Sequence, residues 1–468
     1  MEIKPATSGL PLAAAVGAVV VMMITTLWRA FGGPAALSAV LFAAAAVLIA
    51  VEYRNIPPRL RTTSLLLLAT SVVLLPFARS PLAAVQRGIF VSGLLLALMA
   101  SVMLLARCAL RSRHVQIVGT NLRAQPPGQR YLSFNIAGQV FSGMLGLAGA
   151  NIMLVMAAPP EEGKSPTRTA TVIAVTRGFA AAGFWSPVFG NMAILLALYP
   201  SLHWIEVFPV GAGLAQVTIV VGVLVNRFSR KTLPTAEPQP AADTLPDVPP
   251  PLASAAIPVL LIMFGFLGAV LATSSLLKIG ITASIVLVGP VVALLLNIVL
   301  ADPGRRIPDA LQRMGEGATL QFPRLASEAI LFTAAGCAGS IMADAFPRPW
   351  VEQVGLLLGG MPFFGIAFLM ASIMGIALAG IHPVLTAVFM ASTMTPQVLN
   401  LPPLVHISAI LSGWGLSACL TPYSVLSLTA SRYAGVGLYQ ISLGRNWAFA
   451  LCNALLAAVL LTMLAMLL

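Results

Sequence analysis

Two stretches, GFAAAGFWSP at residues 178–187 and GWGLSACLTP at residues 413–422, carry one pattern about half a chain apart. Each opens on glycine and an aromatic ring, Gly178-Phe179 or Gly413-Trp414. Each closes, after six intervening residues, on a hydroxyl residue and proline, Ser186-Pro187 or Thr421-Pro422. Both lie inside long apolar runs. Proline removes a backbone donor and clashes with the preceding turn, so it breaks or kinks a helix. Inside a bilayer the freed N–H and C=O groups survive only where protein or a cavity satisfies them. Matched breaks in the two halves of a chain point to a transporter binding site.

Composition agrees with a chain that lives in lipid. Hydrophobic residues make up 59% of 468 and charged residues 9%, with a mean hydropathy of +0.95. That excludes a soluble domain and predicts an all-α polytopic membrane protein. The net charge of +12 falls in short loops and forms no basic face interleaved with aromatics, so no nucleic-acid partner is expected. Cys108, Cys337, Cys419 and Cys452 fall in or beside apolar helices, at spacings that suit neither a disulfide framework nor a metal site.

Working outward from the breaks, apolar windows predict spans near 9–29, 34–53, 62–79 and 87–108. A hairpin-like stretch at 132–158, a broken span at 168–200 and a span at 204–226 complete the first part. Residues 227–252, rich in proline and acids, read as a flexible cytoplasmic linker. The second part gives spans near 253–273, 279–300 and 324–346, a hairpin at 361–396, a broken span at 404–431 and a last span at 446–468. The arm after Pro383 runs only to about Met394. Some 11 helical residues rise ~17 Å, well short of the ~30 Å hydrocarbon core. The arm after Asn151 is as short, so both stretches read as re-entrant. The expected architecture is eleven transmembrane spans plus two re-entrant hairpins: a leading span (1–30), one repeat (31–226) and a second, inverted repeat (253–468). Both turn points carry one tripeptide, Leu147-Ala148-Gly149 and Leu378-Ala379-Gly380, with a polar residue two positions on, Asn151 or His382.

Most of the 26 basic residues fall on one side of this topology, which predicts a cytoplasmic N-terminus and an outer C-terminus. The loops around residues 107–130 and 305–324 carry much of that charge. An inner, plasma-membrane location is expected.

Hairpins, Ser/Thr-Pro breaks, inverted repeat and extra leading span together resemble the ion transporter superfamily. The chain looks most like its divalent anion–sodium symporter branch, with tripartite periplasmic transporter membrane subunits as relatives. The resemblance implies that tips and breaks meet at mid-membrane to hold substrate and cation. It places substrate contacts at Gly149, Asn151, Ser186, Pro187, Gly380, His382, Thr421 and Pro422, with Asn191 and Ser424 lining the same cavity. A coupling ion, sodium if the branch is followed, would fall to Asn151, Ser186 and Thr421. It also implies an elevator motion and a homodimer. The branch carries Ser-Asn-Thr at both tips. Here the first tip keeps only the asparagine, and the second reads Gly380-Ile381-His382-Pro383.

Bland readings stand beside these. Asn151 suits a turn cap as well as a ligand. His382 suits a tip held by a neighbouring carbonyl as well as a proton-coupling group. Ser/Thr-Pro hydroxyls commonly satisfy a freed carbonyl. Arg177 reads either as snorkelling to the cytoplasmic interface or as attracting an anion. Glu328 and Asp344 read as interfacial. Enzyme motifs are absent: no HExxH, no GxSxG, no phosphate loop. No cofactor beyond an ion is expected. The sequence therefore predicts a secondary carrier of a small organic anion, coupled to sodium or protons. The alternative is a membrane subunit of a multi-component or channel-like system.

Overall fold

A computed structural model describes residues 8–159, 165–231, 252–301 and 304–468. Most of the expected linker, residues 232–251, lies outside them, as do Lys4 and Lys164. The described residues are all-helical, with eleven helical stretches long and apolar enough to cross a membrane. The number agrees with expectation but the membership differs. Residues 127–157 qualify by length although they turn back on themselves, while the first broken span fails because neither piece is long enough alone.

The first part runs through α1 (Leu10–Ala30), α2 (Leu37–Glu52), α3 (Pro58–Leu74), α4 (Pro81–Arg111) and α5 (Arg113–Arg123). It continues with α6 (Pro127–Ala157), α7 (Pro166–Ala182), α8 (Gly190–Leu198) and α9 (Trp204–Lys231). The second comprises α10 (Leu252–Leu277), α11 (Ile281–Val299), α12 (Arg306–Gln321), α13 (Ala326–Ala345) and α14 (Arg348–Leu358). After these come α15 (Pro362–Leu378), α16 (Pro383–Thr393), α17 (Pro403–Leu420), α18 (Val425–Ala434) and α19 (Arg445–Ala465). Proline supplies the first residue of α3, α4, α6, α7, α15, α16 and α17. There its missing N–H is one the helix could not use, and its fixed φ suits the first turn.

Three segments read as loops contain helices: α5, α12 and α14. In α5 the buried positions Val115, Val118, Gly119 and Leu122 fall at helical spacing, with charge on the other face. Such a stretch is too polar for a span window to find, and its period gives it away. The helix α9 also runs five residues into the expected linker.

At the centre, α4 and α13 lie together, each with 78% of its apolar window buried, whereas α3 has 11% and α10 28%. The central pair meets backbone to backbone: a Cβ on Gly88 would sit 2.7 Å from the Cys337 Cα. The Ser92 hydroxyl donates across the same contact to the Phe332 carbonyl at 2.8 Å. The peripheral helices keep apolar faces outward, as lipid-facing spans do.

Within α6 the helix stops at Gly146, whose φ of 57° and ψ of −140° suit only glycine. The chain there doubles back, because Gly149 packs on the Phe141 and Ser142 backbone. Between α15 and α16 the turn is made at Gly380, φ 93°. The second arms, residues 147–157 and α16 (11 residues), are equally short. The tripeptide match is therefore out of register. In the second half the turn glycine is the last of Leu378-Ala379-Gly380; in the first it precedes Leu147-Ala148-Gly149. Asn151 and His382 stand five and two residues past their turn glycines and are not equivalent.

Gly146→Ala should destabilise the protein by about 1–3 kcal/mol through backbone strain, although a Cβ there meets nothing within 4 Å. Gly375→Ala, equally open but with ordinary φ, should leave the melting temperature in detergent unchanged.

Candidate functional site

The proline breaks and the turns are fastened to each other in the same way in both halves. The Ser186 hydroxyl donates to the Gly143 carbonyl, 43 residues back. The Thr421 hydroxyl donates to the Ala377 carbonyl at 2.8 Å, 44 residues back. Each acceptor stands three residues before its turn glycine, in the last turn of a hairpin arm; the Ala377 carbonyl also accepts from Gly380 N–H at 3.1 Å. Each hydroxyl also accepts from the backbone N–H two residues on, Val188 at 3.1 Å and Tyr423 at 3.3 Å. One oxygen thus ties a helix break to a turn.

Further polar groups close each break. Asn191 Nδ2 donates to the Gly183 carbonyl at 2.9 Å, and Ser424 Oγ to the Ala418 carbonyl at 2.7 Å. Ser424 also caps α18, accepting from Ser427 N–H at 3.0 Å. The last helix of each half reaches back to the break: Trp204 Nε1 to the Trp185 carbonyl at 2.7 Å, Asn446 Nδ2 to the Cys419 carbonyl at 3.2 Å. The two breaks cross at Gly183 and Gly415. A Cβ on Gly415 would sit 2.7 Å from the Ala180 carbonyl oxygen, and one on Gly183 would lie 3.5 Å from the Gly415 Cα.

Beyond each break the chain packs onto the other half, α8 against α16 and α17, α18 against α6 and α7. The outer ends are pinned in parallel fashion. Arg168, early in α7, donates to the carbonyls of Ala158 and Pro159 and to that of Tyr433 at the end of α18. His406, early in α17 and wholly buried, bonds the Met394 carbonyl at 2.5 Å and the Tyr199 hydroxyl beyond α8 at 2.5 Å. A carbonyl only accepts, so Nε2 carries the proton and Nδ1 accepts from Tyr199. Neither residue was singled out in the sequence. Their signal is a shared place: near the start of a helix that follows a hairpin.

Of the expected site residues, the structure brings together Ser186, Asn191, Thr421 and Ser424 with the breaks. It places Pro187 and Pro422 in the unwound turns and Gly380 against the Tyr423 ring. Gly149 instead serves hairpin packing. Asn151 Oδ1 is buried with no hydrogen-bond partner. His382 caps α16, its Nδ1 accepting from Val384 N–H at 3.2 Å, and its ring meets Phe332 and Trp414 edge-on. No hydrogen bond joins Asn151 to His382 among the described residues. Three further buried polar atoms lack partners close to the turns and breaks: Ser142 Oγ, Thr386 Oγ1 and Trp185 Nε1. Trp185 is 8% exposed, its ring against Gly143.

Snorkelling does not describe Arg177. The residue is 3% exposed. Its guanidinium bonds Asn446 Oδ1 at 2.9 Å, Tyr131 Oη at 2.9 Å, Gly222 O at 3.2 Å and Arg445 O at 2.7 Å. It also lies 4.6 Å from the Phe449 ring centroid. Neutral dipoles and a ring solvate the charge inside the bundle, joining α6, α7, α9 and α19. The acids at the two ends of α13 differ: Asp344 Oδ2 accepts from Ser80 N–H at 2.6 Å in an exposed place beside the start of α4, while Glu328 keeps Oε2 buried and unpartnered.

Arg177→Met leaves Tyr131 and Asn446 facing an apolar chain, a loss of about 3 kcal/mol visible as a lower melting temperature. Arg177→Lys should not restore it, since an ammonium lacks the planar fork and the ring stack.

Neither a protein-family model nor any curated protein matches the chain. Among solved structures, the fold is similar to the crystal structure of the YdaH transporter from Alcanivorax borkumensis, described as having an unusual topology. The TM-score is 0.59 at 16% identity, over 86% of this chain and 98% of that one. At that identity the likeness concerns the fold alone: a multi-pass helical membrane architecture shared with a transporter.

Proposed function

We propose that the protein is a secondary active carrier of a small organic anion, a carboxylate by class. It works as an elevator whose moving body holds both hairpins and both broken helices. In this reading the hairpins are re-entrant and the halves are inverted copies related about the α4–α13 pair. The remaining helices form a scaffold that supports a homodimer, in the manner of the divalent anion–sodium symporters. The N-terminus is cytoplasmic and the C-terminus outside, in the inner membrane. The observation that carries the reading is the duplicated fastening of break to turn, Ser186 to Gly143 and Thr421 to Ala377. Irregular backbone at membrane depth is costly unless protein or a cavity satisfies it. A chain that builds it twice, with one set of bonds, supports a site between the copies.

The polar groups divide by what they already hold. Ser186, Thr421, Asn191 and Ser424 are engaged within the protein and shape the site, each hydroxyl keeping a lone pair for a sodium ion. Substrate contacts fall to the unpartnered groups: Asn151, Ser142, Thr386, Trp185 Nε1 and the Nε2 of His382. With Arg177 already engaged, an anion is held by neutral donors and half-helix N-termini.

The test is a thermal-shift screen of purified protein against carboxylates, phosphate and sulfate, with and without sodium and across pH. A ligand near 100 times its Kd should add about 2.7 kcal/mol. Asn151→Ala and Ser142→Ala should erase that shift while leaving the unliganded melt near wild type, because the oxygens removed have no partner to orphan. Unchanged melting with every anion, together with no counterflow in proteoliposomes, would remove the carrier reading.

A further inference from the structure

One face of α13 is a track for the second hairpin. Phe332 meets His382 at the turn, ring centroids 5.8 Å apart. A Cβ on Gly339 would lie 2.9 Å from Val388 Cγ1, in α16. The helix α16 therefore runs alongside α13 in the same direction, and residues before Phe332 lie beyond the hairpin turn. Positions four apart share a helix face, which puts Glu328 in line with Phe332, one turn or roughly 6 Å further along. Gly339 keeps the track low.

Both members of this line are incomplete. Glu328 has a carboxylate oxygen sealed from solvent with no hydrogen bond. An ionised carboxylate is not kept buried and unpaired at low cost. His382 has Nδ1 fixed as acceptor by Val384 N–H, so its proton sits on Nε2, which bonds nothing among the described residues. A donor and an acceptor thus stand on facing surfaces, displaced by one turn.

We propose that Glu328 and His382 form one proton-carrying pair, engaged when the second hairpin moves a helical turn along α13. The idea rests on the carrier reading and gives the second hairpin a position set by protonation. In the engaged position the ionised carboxylate accepts from His382 Nε2–H. When the carboxyl takes a proton from water it becomes neutral, the charged hydrogen bond is lost and the hairpin withdraws to the place seen here. On re-engagement the same proton returns to water. A surface cleft of about 290 Å³ is lined by Glu52, Pro57, Thr319, Arg324 and Ser327, the last next to Glu328 in the chain.

Other titratable groups stand on the elements around the pair. On α2, Glu52 accepts from Asn55 Nδ2 at 2.6 Å. On α3, the Arg61 guanidinium lies 5.0 Å from the Tyr53 ring, and its Nε is buried without a hydrogen bond. Arg324 precedes α13 and is exposed. The helix α4 offers the hydroxyl of Ser92, bonded to the Phe332 carbonyl, and α16 has no titratable side chain. Tyr423 lies against Gly380 and Trp414 against His382. No ion pair involves Glu328 among the described residues.

Two measurements on the full chain in lipid test the pair without any transported substrate. In a background with the native cysteines replaced by serine, Ala335→Cys/Val388→Cys, one turn from the contact seen here and with Glu328 and His382 intact, is oxidised with copper phenanthroline and the linked peptide sought by mass spectrometry. The contacting pair Gly339→Cys/Val388→Cys is the control. Linkage in both is expected; linkage in the control alone overturns the proposed movement. Hydrogen exchange of residues 376–393 is then compared between about pH 6 and about pH 8, after correction for intrinsic rates. Wild type should be better protected at the higher pH, and Glu328→Gln and His382→Gln should each lose that difference. A wild-type pH difference surviving in Glu328→Gln overturns the proton assignment. Neither result depends on the anion screen, so the pair can fail while the carrier reading stands.

Discussion

A proline in a membrane helix leaves carbonyls without donors, and a helix that ends in mid-fold leaves carbonyls of its own. The two needs are met by neighbouring side chains. Asn191 and Ser424 donate to the Gly183 and Ala418 carbonyls that Pro187 and Pro422 set free. The Ser186 and Thr421 hydroxyls donate to the end of a hairpin arm and accept from the unwound backbone beside them. Without these groups the breaks would hold unpaired polar backbone, at a cost of several kcal/mol per group in hydrocarbon. The remaining features follow from this fastening. The hairpin is held at the break, the piece beyond the break is free to pack on the other half, and the last helix of each half supplies another donor.

Charge is handled with the same economy. Among the described residues Arg177 carries its charge inside the bundle without an ion pair, solvated by carbonyls, an amide, a phenol and a ring. That arrangement fixes four helices together. Arg168 and His406 do comparable work at the two outer ends with different chemistry, a charged fork at one and a neutral imidazole between a phenol and a carbonyl at the other.

The spans and both breaks were legible because their causes are local: runs of apolar residues and the chemistry of Ser/Thr-Pro. The turns were legible in kind but misplaced in one case. Gly146 and Gly149 look alike in sequence, and only backbone dihedrals distinguish a left-handed turn from a packing contact. The helices α5, α12 and α14 were missed because a hydropathy window penalises their charged faces, although Val115, Val118 and Leu122 repeat at helical spacing. Arg177 was misjudged because the distance to an interface is readable along one helix, whereas Tyr131, Gly222 and Asn446 arrive from three others. For Glu328, sequence gives the place at the end of a span, and only packing shows that one carboxylate oxygen is sealed.

The crossing at Gly183 and Gly415 has a consequence for how such a protein diverges. Where the two breaks touch, Gly415 faces the Ala180 carbonyl and the Phe184 ring so closely that no side chain fits. A larger residue there wedges the halves apart. In the carrier reading proposed above, selectivity is then tuned from the hairpin side, near Asn151, Thr386 and His382, so related chains should vary in their turns while keeping glycine at this crossing.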